Sequence, residues 1–158
     1  MMKPLVLGLG NDLLADDGVG ILTARQLAAD LRDRADVVEC CESGIRLLDY
    51  LMDYDRAILI DAICTGKSPI GTIIEMEPSE LSAVVAPSPH YAGLPEILAL
   101  AKQLKVHVPS ALYILGVEVA DPLTLGGEMT RAVREAIPQL TARVKQLIIY
   151  WEREMIHA

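Results

Sequence analysis

From Gly8 to Gly20 the chain reads Gly-Leu-Gly-Asn-Asp-Leu-Leu-Ala-Asp-Asp-Gly-Val-Gly. Two adjacent aspartates framed by glycines can divide the work. One caps the helix that follows, a common use of aspartate, and the other is left for chemistry. Asp17 is the candidate for that second role. Asp61 closes the run Ala-Ile-Leu-Ile, where a carboxylate is costly unless something holds it. Its plain structural use is to accept backbone N–H groups in the turn after a strand. His90, in Pro87-Ser88-Pro89-His90-Tyr91-Ala92-Gly93-Leu94, sits in a loop before a helix. His107 and His157 read as surface groups. Two carboxylates and one imidazole, each from a different loop, suit a divalent first-row metal with open coordination positions. They equally suit a carboxylate acting as general base on water.

The elements that must position these residues alternate. Lys3 to Leu9 is a short apolar run ended by glycine, a buried strand. From Gly18 onward, Ile21, Ala24, Leu27, Ala28 and Leu31 recur at helical spacing. Asp36 to Cys41 reads as a second strand, Ile45 to Tyr54 as a short helix and Arg56 to Asp61 as a third strand. Gly71 to Glu77 alternates and suits a strand near an edge. Gly93 to Leu104 is helical, and Ser110 to Val119 is a fifth strand. Two helical pieces close the chain, separated near Pro138, which a helix interior tolerates poorly. The fold expected is α/β: a three-layer sandwich with a mostly parallel, five-stranded twisted sheet and helices on both faces. A site in such a sheet lies past the carboxyl ends of the strands, where the strand order reverses. In a flavodoxin-like order, 2-1-3-4-5, that is between the first and third strands.

Composition narrows the function. The 158 residues fit one domain, spanning 1–158, and 52% apolar content supports a sizeable core. A net charge of −8 argues against nucleic acid, which needs a basic face. No apolar run is long enough for a membrane span. The N-terminus has no cleavage pattern and reads as a strand rather than a signal peptide. Cys40, Cys41 and Cys64 form no CxxC spacing and fit buried free thiols in a reducing, cytoplasmic setting. Nucleotide motifs fail. GxGxxG would need glycine where Leu13 stands, and Asp16 and Asp17 would repel a pyrophosphate. Thr65-Gly66-Lys67-Ser68 is followed by Pro69 rather than a helix, so it is a loop. No nucleotide cofactor is expected.

Three segments carry a resemblance. Gly8-Leu9-Gly10-Asn11 followed, after two residues, by Leu14-Ala15-Asp16-Asp17-Gly18-Val19-Gly20 resembles the N-terminal signature of the endopeptidases that mature the large subunit of nickel–iron hydrogenases. In that signature the second acidic residue is a nickel-site ligand. Ile60-Asp61-Ala62-Ile63 is similar to the segment carrying the second ligand. Ser88-Pro89-His90 with Gly93-Leu94 is similar to the segment carrying the third. Length, strand order and Leu115-Gly116-Val117 also agree, over nearly the whole chain. The resemblance implies a peptidase, aspartic-type or metal-assisted, that removes the C-terminal extension of the hydrogenase large-subunit precursor once nickel is in place. Nickel then arrives with the substrate, and Asp17, Asp61 and His90 contact it. One carboxylate, or the metal itself, activates water.

Two departures stand out. Asp17 occupies a position where many members have glutamate, and Cys41-Glu42-Ser43-Gly44 is shorter than the family's Gly-Gly-Thr-type turn. Two other readings compete. One is a non-catalytic nickel-loading sensor or chaperone. The other is peptidyl-tRNA hydrolase, which opens similarly but needs a downstream histidine–asparagine pair and a basic face. The tail Leu147-Ile148-Ile149-Tyr150-Trp151 is expected to pack internally, favouring a monomer over a homodimer.

Overall fold

The computed structural model describes residues 2–83, 90 and 93–158. Strands β1 (Leu5–Leu9), β2 (Asp36–Cys40), β3 (Arg56–Ile63), β4 (Ile73–Met76) and β5 (Ala111–Glu118) form one sheet in the order β2-β1-β3-β5-β4. Every pairing is parallel except β4 with β5. The flavodoxin-like order therefore fails at its last two places. A parallel crossover needs about a dozen residues or more, commonly with a helix. The segment 64–72 between β3 and β4 is shorter and carries no helix. So β4 goes to the edge and runs antiparallel, while β5 takes the place beside β3. The reversal between β1 and β3, the part of the expectation that bears on the site, is present.

The sheet is covered on both faces, as the alternation of buried residues dictates. Val6, Ile58, Ile60, Ala62, Leu115 and Val117 face α1 (Val19–Asp30) and α4 (Arg131–His157). Leu5, Leu7, Leu9, Leu59, Leu112 and Ile114 face α2 (Leu47–Leu51) and α3 (Leu94–Gln103). Asp61 has the parity of Ala57 and Leu59, which directs it to the α2–α3 face.

The expected break at Pro138 does not occur, and α4 runs through it. Pro138 and Arg134 lie on the solvent side of the helix. The Arg134 carbonyl that loses its intrahelical partner is therefore open to water. Val133, Ala136, Ile137, Leu140, Val144, Leu147, Ile148 and Trp151 meanwhile hold one continuous buried stripe. The tail packs inward at Leu147, Ile148 and Trp151, whereas Ile149 and Tyr150 are exposed. Trp151 stacks on Tyr113, 5.8 Å between ring centroids, and its carbonyl accepts from Arg56.

Where α1 meets the sheet, two backbones touch. A Cβ on Gly20 would collide with the carbonyl oxygens of both Ile60 and Leu9, and a Cβ on Gly8 would collide with the Gly20 carbonyl. Backbone cannot step aside as a side chain can. Gly20→Ala is therefore expected to lower unfolding free energy by about 3 kcal/mol or more, the upper end for overpacking, measured by urea denaturation. A loss below about 1 kcal/mol would contradict this close approach.

Candidate active site

The loop after β1 folds back through one 3-10 turn, η1 (Ala15–Gly18), before α1 begins. Gly10 makes this possible. Its φ of 139° lies outside the range of L side chains, and a Cβ there would overlap the Asp17 carbonyl. The turn buries both aspartates and points them apart.

Asp16, fully buried, acts as a staple. Its carboxylate accepts the backbone N–H groups of Ala120 (3.0 Å), Asp121 (2.9 Å) and Thr130 (2.6 Å), and the Thr130 hydroxyl (2.7 Å). Its own N–H donates to the Asp121 carbonyl at 2.8 Å. The expected capping of α1 by an aspartate side chain does not occur, because the α1 N-cap is Gly18 and has no side-chain bond. Asp16 instead ties the β1–α1 loop to the segment between β5 and α4.

Asp17 faces the other way. Asn11 donates its backbone N–H to Asp17 Oδ2 at 2.9 Å, and His90 Nε2 lies 3.7 Å from the same oxygen. Asp61 lies inside β3 rather than at its end, and Asp61 Oδ1 accepts the Ala62 N–H at 2.8 Å. The backbone use weighed for Asp61 is thus real. His90 is buried, and its Nδ1–H donates to the Glu42 carbonyl at 3.1 Å. That bond orients the ring and turns Nε2 toward the carboxylates. One ligand-type atom from each of Asp17, Asp61 and His90 lies within 4.8 Å of the others. Two oxygens and one nitrogen so placed approach the spacing of ligands around a single divalent ion, with further coordination positions left over. Ser88, Pro89, Tyr91 and Ala92, which flank His90 in the sequence, lie outside the described residues.

Burial disfavours the charged imidazole of His90, but Asp17, the charge of Asp61 and the Glu42 carbonyl outweigh it. The pKa is raised from 6.5 to about 9. His90 therefore binds its proton more tightly in the folded chain. The stability this contributes is complete below pH 6.5 and is lost as the pH rises through about 9.

Three residues beyond the expected set prove important. The first is Glu42, for its carbonyl, and the second is Asn11, for its N–H. The third is Glu118, buried at the end of β5, which accepts from Thr65 N (2.9 Å), Gly66 N (2.7 Å) and Thr65 Oγ1 (2.7 Å). It holds the loop that follows Asp61. The rule that singled out Asp61, a charge at the end of an apolar strand, applies equally to Glu118 and would have found it. Backbone contributions such as those of Glu42 and Asn11 leave no side-chain signal. His107 is exposed, 2.8 Å from Asp55, as expected of a surface group. Of the cysteines only Cys40 is buried, and burial pushes its thiol pKa up, whereas Cys41 and Cys64 are exposed, contrary to expectation.

The model of a family described as hydrogenase maturation protease matches residues 21–147. A hydrogenase 2 maturation protease of Escherichia coli (strain K12) is 30% identical over 164 residues, covering 99% of each chain. A hydrogenase expression/formation protein HupD of Rhizobium leguminosarum bv. viciae is 32% identical over 93% of this chain and 74% of that one. Among solved structures, the hydrogenase maturating endopeptidase HybD from E. coli superposes with a TM-score of 0.75 at 26% identity, covering 90% of both chains. A [NiFe] hydrogenase maturation protease HybD from Thermococcus kodakarensis gives 0.72 at 26% identity, covering 93% and 99%.

Two measurements test the division between the aspartates and the charge state of the site. Asp16→Ala strands several buried donors and should cost about 3 kcal/mol or more in thermal or chemical unfolding; a cost under about 1 kcal/mol would refute the staple. An NMR titration of His90 in the metal-free chain should give a midpoint near 9. A midpoint at or below the unperturbed value would mean that the carboxylates do not face it.

Proposed function

The chain belongs to the hydrogenase maturation protease family, and from that membership we propose that it removes the C-terminal extension of a hydrogenase large-subunit precursor once nickel has been inserted. As a peptidase it must add water to a peptide carbonyl and deliver a proton to the leaving amine. The single observation supporting the reading is the convergence of Asp17, Asp61 and His90 within 4.8 Å at the β1–β3 reversal. Nickel is cargo of the substrate on this reading, and the three side chains contact it when the precursor docks. Asp17, held by the Asn11 N–H, and Asp61, held by the Ala62 N–H, offer carboxylate oxygens, and His90 offers Nε2. A carboxylate next to that centre takes the proton from the attacking water and passes it to the amine, while the ion polarises the reacting oxygen.

Among the described residues no helix is long and apolar enough to cross a membrane. We place the reaction in the cytoplasm with the protease acting as a monomer. The acidic balance and the two site carboxylates are unsuited to tRNA, which weighs against a peptidyl-tRNA hydrolase.

The test incubates the protein with purified nickel-loaded precursor and reads the precursor's C-terminal mass loss by mass spectrometry. Wild-type protein is expected to cleave once. Asp17→Asn and His90→Ala are expected to lose at least a hundredfold in rate while keeping wild-type circular dichroism. Cleavage at the normal rate by either variant would refute the assignment, and binding without mass loss would identify a nickel-loading sensor instead.

A further inference from the structure

Beside the site, three large apolar side chains stand in solvent: Leu13, Leu123 and Leu125, with 63%, 79% and 75% of their surface exposed. They belong to two loops that pair. Leu14 and Leu125 form an antiparallel bridge, and Gly126 donates its N–H to the Leu13 carbonyl at 2.8 Å. The loop carrying Leu123 and Leu125 is pinned throughout. Asp121 Oδ1 accepts the N–H groups of Leu123 and Thr124, both at 3.0 Å, and Gly127 N–H donates to the Thr124 carbonyl. The Asp16 carboxylate holds the loop's base at Ala120 and Asp121. Exposed leucines on a loop held this firmly are pre-positioned for contact, so little ordering remains to be done when a partner arrives.

The surface is continuous with the catalytic residues. Leu13 donates its N–H to Asn11 Oδ1, and Asn11 donates its own N–H to Asp17 Oδ2. Leu13, and the segment of Leu125 bridged beside it, therefore belong to the same loop pair as Asp17. The acids around the patch are Asp12, Asp121 and the exposed Glu128, so an acidic segment would be repelled from it. The Asp121 carboxylate is engaged in its own turn, and Asp12 pairs with Arg25 at 3.2 Å. Such a patch suits an apolar segment rather than an acidic one. Resting on the cleavage reading above, we propose that Leu13, Leu123 and Leu125 seat an apolar segment of the large-subunit precursor next to the bond that is cut.

The test is steady-state cleavage of purified nickel-loaded precursor. The double variant Leu123→Glu/Leu125→Glu, and independently Leu13→Glu on the other loop, should raise KM at least tenfold with kcat changed by less than about twofold. Leu104→Glu, a change at an equally exposed leucine at the C-terminal end of α3, should leave KM unaltered. An unchanged KM in the two patch variants would overturn the inference. So would an equal rise in Leu104→Glu, or a wild-type dimer that the patch variants dissociate without altering KM. If wild-type protein fails to cleave the precursor at all, the cleavage reading fails first and this inference with it.

Discussion

The site depends on a contact in which no side chain takes part: the first turn of α1 lies directly against the carboxyl ends of β1 and β3. Gly20 meets the Leu9 and Ile60 carbonyls, Gly8 leaves room for Gly20, and Gly10 leaves room for the Asp17 backbone. Any Cβ at these places would lift the helix from the sheet. Lifting it would carry η1 and both aspartates away from Asp61. The glycines around the acidic pair therefore look like a nucleotide fingerprint but serve another purpose. They let backbone approach backbone, so that a carboxylate is set over the end of a neighbouring strand.

That placement buries more negative charge than a small domain readily tolerates, and the structure handles each carboxylate differently. Asp16 and Glu118 are saturated by loop donors and are structural; each fastens a loop at the carboxyl end of the sheet. Asp17 and Asp61 share the imidazole of His90 between them. The sharing raises the proton affinity of His90, and that proton offsets part of the charge of the pair. Asp16 and Asp17 thus face opposite ways although they are neighbours in sequence.

Much of this was legible in the residue pattern. The alternating elements gave the covered sheet, and the three polar residues after strands one and three and before the third helix pointed to one end of it. The edge position of β4 was readable from its alternation, but its direction was not, because that depends on how far a helix-free segment can reach. Pro138 misled because a local rule about helix interiors ignores which side of the helix meets water. Which aspartate faces the site depends on a 3-10 turn and on partners more than a hundred residues away, Ala120 and Thr130. The orientation of the His90 ring depends on the Glu42 carbonyl, which every residue type carries alike.

Two consequences follow from placing the site on three separate elements rather than on one. Asp61 sits within the sheet and can move little, whereas Asp17 and His90 come from segments fastened by hydrogen bonds at Asn11 and Glu42. On the proposed reading, side chains fastened to three separate elements would meet an ion whose position is set by the docked precursor. On that reading the incoming divalent ion would compete with the His90 proton for Nε2.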